Sequence, residues 1–285
     1  MKKKNKAIYL LFLMPFVYFA TACFVVWLVK TSGIYPSGSD TMYHVYRGDY
    51  VYNAIKSGNW YPLYDPAWYN GVEILRYWSP FPAYVMAFCQ YLAGGSQFGA
   101  YLFYIGGVCF LGACVWPFIG RGFNRPYLGA FIGLLWFFMP NNLCAIFIEG
   151  NLARSLSMIF LPVFIYSVYK YLYNHKLRYI PLMVFTFLLM ELCHLGYAGM
   201  VAIAVIIYGI VYMIQKGRKK AVLDVVISMI FGFMLLGIWL VASLRGGITS
   251  LDNSENMANF FQNLWITINP FERLTRGFEY FYFGF

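Results

Sequence analysis

"AIYLLFLMPFVYFATACFVVWLV", residues 7–29, follows the basic stretch KKKNK at 2–6 and holds no charged residue. An α-helix rises about 1.5 Å per residue, so a run of this length covers the roughly 30 Å of hydrocarbon in a bilayer. A cleaved secretory signal also begins basic and turns apolar, and Ala20-Thr21-Ala22 has the small-residue pattern of a cleavage site. The apolar run passes through that site to Val29, which suits a spanning helix better than a signal core. An uncleaved anchor is expected.

The rest of the chain agrees with that start. Of its 285 residues, 61% are apolar and 22% aromatic. A soluble domain is nearer half apolar, so this chain has too little polar surface to cover itself. Lipid must serve as solvent, and backbone satisfaction then leaves helices or a closed barrel. The apolar runs are continuous rather than alternating, which selects an all-α membrane protein.

The net charge of +10 does not indicate nucleic-acid binding, because of how it is distributed. Basic residues fall in short clusters between apolar runs: KKKNK at 2–6, RGFNR at 121–125, HKLR at 175–178 and KGRKK at 216–220. That is the pattern of cytoplasmic loops. With a cytoplasmic N-terminus, spans near 7–29, 97–119, 127–143, 152–172, 179–196, 199–214 and 221–243 put every cluster inside. The expected architecture is therefore about seven transmembrane helices. Residues 30–96 form a long structured first extracytoplasmic loop, in which 80–95 is a short interfacial or re-entrant helix bracketed by Pro80, Pro82, Gly94 and Gly95. The whole chain, 1–285, reads as a single polytopic domain, and its aromatic, outward-facing end suggests the N-terminal part of a longer protein. Six cysteines lie mostly within apolar runs with no CxxC or CxxH spacing and act as small hydrophobes.

On this topology, all acidic residues but Asp224 gather toward the outer side, where any chemistry is expected. "SGSDTMYHVYRGDY", residues 37–50, is the densest group. In a helix over 40–57, Asp40, His44 and Arg47 share one stripe. Asp40 suits a general base with His44 as its partner, or simply a helix N-cap after SGS. Asp49 suits a second acid or a solvated face, and Asp65 in YDP a turn. Trp60, Trp68 and Trp78 suit a membrane interface or stacking on sugar rings. In EGNLAR, Glu149 and Arg154 form an ion pair with Asn151 as a cap, or Arg154 receives a phosphate. Arg245 is a further outer base. Glu191 and His194 are spaced as Glu-x-x-His, but a di-iron bundle needs two such motifs and two further Glu. No HExxH, Walker loop or dinucleotide fingerprint occurs, so no nucleotide is expected.

The loop carries a resemblance. Asp40, His44, Gly58-Asn59-Trp60-Tyr61-Pro62, Trp68-Tyr69-Asn70-Gly71 and Ser79-Pro80-Phe81-Pro82 resemble the first outer loop of multispanning GT-C-class glycosyltransferases. They are most similar to bacterial membrane proteins labelled 6-pyruvoyl-tetrahydropterin synthase-related and to YfhO-like relatives. "EGNLARSLSMIFLPVFIY" and "HLGYA" at 194–198 add to the likeness. The resemblance implies a bacterial inner-membrane protein with Asp40 as catalytic base at the outer face. It also implies a polyprenyl-phosphate sugar donor and an envelope glycan or protein acceptor. Arg47, Arg154 or Arg245 would then face the donor phosphate. No D-x-D or D-x-E occurs, so a divalent metal stays open. The alternatives are a transporter or flippase of lipid-linked glycans, and a non-catalytic scaffold in envelope polysaccharide assembly.

Overall fold

The computed structural model describes residues 2–243 apart from 37, 69, 70 and 77, with side chains from residue 12 onward. Arg245 and the acids at 252, 255, 272 and 279 lie outside the described residues. The described residues form an all-helical membrane bundle, with one isolated bridge, Asp65 to Val72, outside helices.

Helix α1 (Lys2–Ser32) carries the first span, Phe12–Ser32, and Ala20-Thr21-Ala22 sits inside it. Tyr18 ties it to the bundle by donating from its buried hydroxyl to the Ala130 carbonyl at 2.8 Å. Helix α2 (Thr41–Lys56) and helix α3 (Phe81–Leu92) belong to the long first loop and pack on each other. At 12 residues α3 is too short to cross a bilayer, as the bracketing Pro and Gly predict. Helix α4 (Gln97–Gly122) is the second span and is capped by Ser96, whose Oγ accepts from the Gly99 N–H.

The third span departs from expectation. Instead of one helix over 127–143, residues 126–148 run as α5 (Pro126–Leu135), a 3₁₀ turn, α6 (Pro140–Leu143) and a π turn at Cys144–Ile148. Pro140 cannot donate to the preceding turn, which breaks the ladder there. Asn142 repairs part of the break by donating from Nδ2 to the Trp136 carbonyl at 2.9 Å. Helix α7 (Leu152–Asn174) and helix α9 (Leu195–Lys216) are long, apolar spans. Between them, α8 (Tyr179–Cys193) has only 15 residues, about 22 Å, so the expected span at 179–196 falls short of full length. The expected span at 221–243 is a bent pair, α10 (Lys219–Leu235) and α11 (Gly237–Ser243), broken by 61°. Length and composition thus give five spans among the described residues, or six with the bent pair, where seven were expected.

The helix order sorts charge between the two ends. The turns after α4, α7 and α9 meet at one end, where Lys170 Nζ donates to the Gly122 carbonyl at 2.5 Å and Arg218 contacts His175. These turns hold the basic clusters. The opposite end gathers α2, the loop to residue 80 and the starts of α7 and α9.

Candidate functional site

Residues Gly38 and Gly150 build the start of this site. A Cβ on Gly38 would collide with the Gly150 backbone, and Gly150 itself adopts φ +67°, a conformation that favours glycine. Their close approach seats the first turn of α2 against EGNLAR. Asp40 then donates its N–H to the Glu149 carbonyl at 3.1 Å. The Asp40 carboxylate occupies the N-cap position but accepts no cap hydrogen bond. It accepts instead from Ser39 Oγ at 3.2 Å and faces a cavity of about 490 Å³. That volume lies within the usual range for a small-molecule site.

The helical period of α2 brings Asp40, Tyr43, His44 and Arg47 to this cavity together. Arg47 is 2% exposed and has no ion-pair partner among the described residues. Its Nη2 donates to the Ile74 carbonyl at 3.3 Å and the Trp78 carbonyl at 3.2 Å, while Nε has no partner among the described residues. The guanidinium lies 5.3 Å from the centre of the Tyr43 ring. Burial presses its pKa below the usual value, yet a guanidinium stays charged in proteins. A buried cation without a counter-charge is costly, and the cavity beside it can take an anion.

His44 is also buried. Burial, then the positive charge of Arg47 and His194, lowers its pKa from 6.5 to about 3, so the ring is neutral. It joins Asp40 through the backbone, its N–H donating to the Asp40 carbonyl at 3.1 Å. The expected side-chain partnership of His44 with Asp40 is not observed. His194 reaches the cavity from another direction. As the N-cap of α9, it accepts the Tyr197 N–H at Nδ1 (3.0 Å) while Nε2 lies 3.3 Å from Asn151 Nδ2.

Aromatic rings complete the walls. Trp68 and Trp78 meet Tyr43 edge-on at 5.0 and 5.7 Å. Trp239 of α11 arrives from far along the chain, its Nε1 donating to the Leu75 carbonyl at 2.8 Å. Tyr43, Ser79, Asn151, Cys193 and Trp239 line the cavity without having been singled out for it from the sequence. Tyr43 was within reach, since it shares the i,i+3 and i,i+4 stripe with Asp40 and Arg47. Trp239 and Ser79 were not, because nothing local links them to α2.

Other sequence candidates lie elsewhere. Arg154 pairs with Glu149 at 2.6 Å, and Asn151 Oδ1 accepts the Arg154 N–H at 2.9 Å. That is the ion-pair and cap alternative, and neither Arg154 nor Glu149 lines the cavity. Asp49 points away and accepts from Gln90 Nε2 at 2.6 Å, joining α2 to α3. Asp65 accepts from Tyr46 and from the Ala67 N–H, a turn role. Trp60 is 72% exposed outside the cavity. Glu191 is 2% exposed in the bundle, and its Oε2 has no hydrogen-bond partner among the described residues. Its carbonyl accepts from Ser79 Oγ at 3.1 Å, just beneath the cavity wall. Among the described residues no group of three or more His, Cys, Asp or Glu could hold a metal.

A family described as "6-pyruvoyl-tetrahydropterin synthase related domain; membrane protein" matches residues 75–285, most of the chain. The chain belongs to this family. No curated protein and no solved structure matches it. Within this 6-pyruvoyl-tetrahydropterin synthase-related membrane protein, the matched segment holds Trp78, Ser79, Asn151, His194 and Trp239. Asp40, Tyr43, His44, Arg47 and Trp68 lie before it, so the stripe on α2 rests on its own geometry.

Proposed function

We propose that this membrane protein transfers a sugar from a polyprenyl-phosphate donor to an envelope acceptor. The observation that carries the proposal is that Asp40 and Arg47 line one cavity, each with a charge that no described side chain neutralises through an ion pair. They stand seven residues apart on α2, about 10 Å along the helix axis. That separation leaves room for two jobs on opposite sides of one anomeric carbon. Asp40 takes the proton as the acceptor hydroxyl oxygen bonds to the anomeric carbon. The bond from that carbon to the phosphate oxygen breaks, and Arg47 stabilises the charge left on the phosphate. His44, neutral, supplies hydrogen bonding rather than a second charge, and Trp68 and Trp78 offer faces for the sugar ring. The donor carries its own energy, so no nucleotide is needed.

The positive-inside rule supports an orientation with the basic turns in the cytoplasm and the cavity outside, in a bacterial inner membrane. Sugar transfer from lipid-linked donor in membranes carrying Asp40→Asn at matched expression tests the proposal. Transfer at the parent rate would overturn it.

A second reading, a transporter or flippase of lipid-linked glycans, is favoured by the two broken spans at 126–148 and at α10–α11, and by buried Glu191, whose Oε2 has no partner among the described residues. It predicts movement of lipid-linked sugar across vesicles without any new glycosidic bond. Product analysis in the same membranes separates the two.

A further inference from the structure

At the end of the bundle opposite the cavity, two hairpin turns enclose a cleft of about 530 Å³. The turn after α7 contributes His175, and the turn after α9 contributes Gly217, Arg218, Lys219 and Lys220. Tyr171 and Asp224 form its back wall. None of the three cations makes an ion pair among the described residues. Arg218 contacts the His175 ring, which links the two hairpins. Asp224, the one acid present, accepts from Tyr171 at 2.5 Å, and the cleft keeps a net positive charge.

The local backbone compounds this. Arg218 is the N-cap of α10 and provides no side-chain cap; the Lys219 N–H donates to the Gly217 carbonyl at 3.2 Å, and the N–H groups that follow have no side-chain acceptor among the described residues. Lys219 and Lys220 sit in that same first turn, where the helix dipole favours anions and disfavours cations. Arg218, Lys219 and Lys220 are exposed, so water screens much of their mutual repulsion, and with the positive helix end they make a site whose field favours an anion. The cleft also lies at the level where apolar spans α7 and α9 end, which is headgroup depth in a bilayer.

We infer that this cleft binds the phosphate headgroup of an anionic membrane lipid, bridging the α7–α8 and α9–α10 turns. The headgroup oxygens accept from Arg218, Lys219, Lys220 and the α10 amide N–H groups, and the acyl chains run into the surrounding bilayer. The inference is independent of the chemistry assigned to the opposite cavity.

The test is lipid retention by the purified full chain, measured by native mass spectrometry after exchange into nanodiscs of phosphatidylglycerol or phosphatidylcholine. Preferential retention of phosphatidylglycerol is expected, falling about fivefold for each of Arg218→Gln, Lys219→Gln and Lys220→Gln. Asp224→Asn, which removes the opposing charge, is expected to raise retention and so tests the cleft without removing a cation. Arg121→Gln removes equal charge from a neighbouring turn outside the cleft and is expected to change retention little. Three results would overturn the inference. One is equal retention of both lipids, and another is an equal loss with Arg121→Gln, which would mean diffuse attraction. The third is displacement of the lipid by millimolar inorganic phosphate, which would mean a soluble ligand.

Discussion

Asp40 and Arg47 stand two helical turns apart on one face of α2, and both line a single cavity of about 490 Å³. The relationship has consequences because neither side chain's charge is matched by an ion pair among the described residues. Asp40 sits at a helix N-cap without capping, and Arg47 is buried without an acidic partner. Neither charge has an ion-pair partner among the described residues, and the proposed transfer uses both.

The first prediction follows from the missing cap bond. A capping Asp replaced by Ala costs about 1 kcal/mol, whereas Asn retains most of the cap. Because Asp40 makes no cap hydrogen bond, Asp40→Ala and Asp40→Asn are both expected to change stability by less than about 0.5 kcal/mol. On the proposed function, with Asp40 as the base, the rate of sugar transfer should fall roughly 10²–10⁴-fold in both. Thermal unfolding and transfer rates on the same preparations check this. A stability loss confined to Asp40→Ala would show that the carboxylate is a cap after all.

Asp49 is expected to behave in the opposite way. Its carboxylate accepts from Gln90 Nε2 at 2.6 Å and clamps α2 to α3, and a hydrogen bond to a charged group contributes about 1.5–3 kcal/mol. Asp49→Ala should lower the unfolding temperature, while transfer per folded molecule stays near the parent value. Activity normalised to folded protein is the measurement, and a large loss would make Asp49 part of the site.

His44 predicts a pH dependence of stability. Its folded pKa is near 3 and its unfolded value near 6.5, so between these the unfolded chain binds a proton that the folded chain refuses. Stability therefore rises with pH across that window and is lost on acidification below about 6.5, by up to about 1.4 kcal/mol per unit. His44→Gln removes this contribution. Unfolding temperatures at pH 7 and pH 5 should differ less for His44→Gln than for the parent, and an unchanged difference would contradict a buried, neutral ring.

Orientation gives the last prediction. Lys56 ends α2 on the side of the cavity, away from the basic turns. A cysteine at position 56 is expected to react with a membrane-impermeant thiol reagent from outside intact cells, and one at position 218 only after permeabilisation. Native Cys23 is exposed within the first span, so it faces lipid, where an impermeant reagent does not reach.

Composition and local period were enough to establish an all-helical membrane protein with a long first loop, basic turns at one end and a short helix within 80–95. They also gave the stripe of Asp40, His44 and Arg47, because a helix repeats every 3.6 residues whatever packs around it. The partition of the remaining candidates depended on tertiary structure. Glu149 and Arg154 are five residues apart, and sequence allowed them either to pair or to bind phosphate; the turn at Gly150 brings them to 2.6 Å. Asp49 and Gln90 meet only because α3 folds back on α2. The carbonyls that hold Arg47 belong to residues 74 and 78, and Trp239 closes the wall from the far end of the described chain. The spans were harder to bound for the same reason. Apolar composition marks what can enter lipid, but breaks at Pro140 and between α10 and α11 become tolerable only where neighbouring helices satisfy the freed backbone groups. Periodicity is a property of one segment, whereas a site is set by which segments touch.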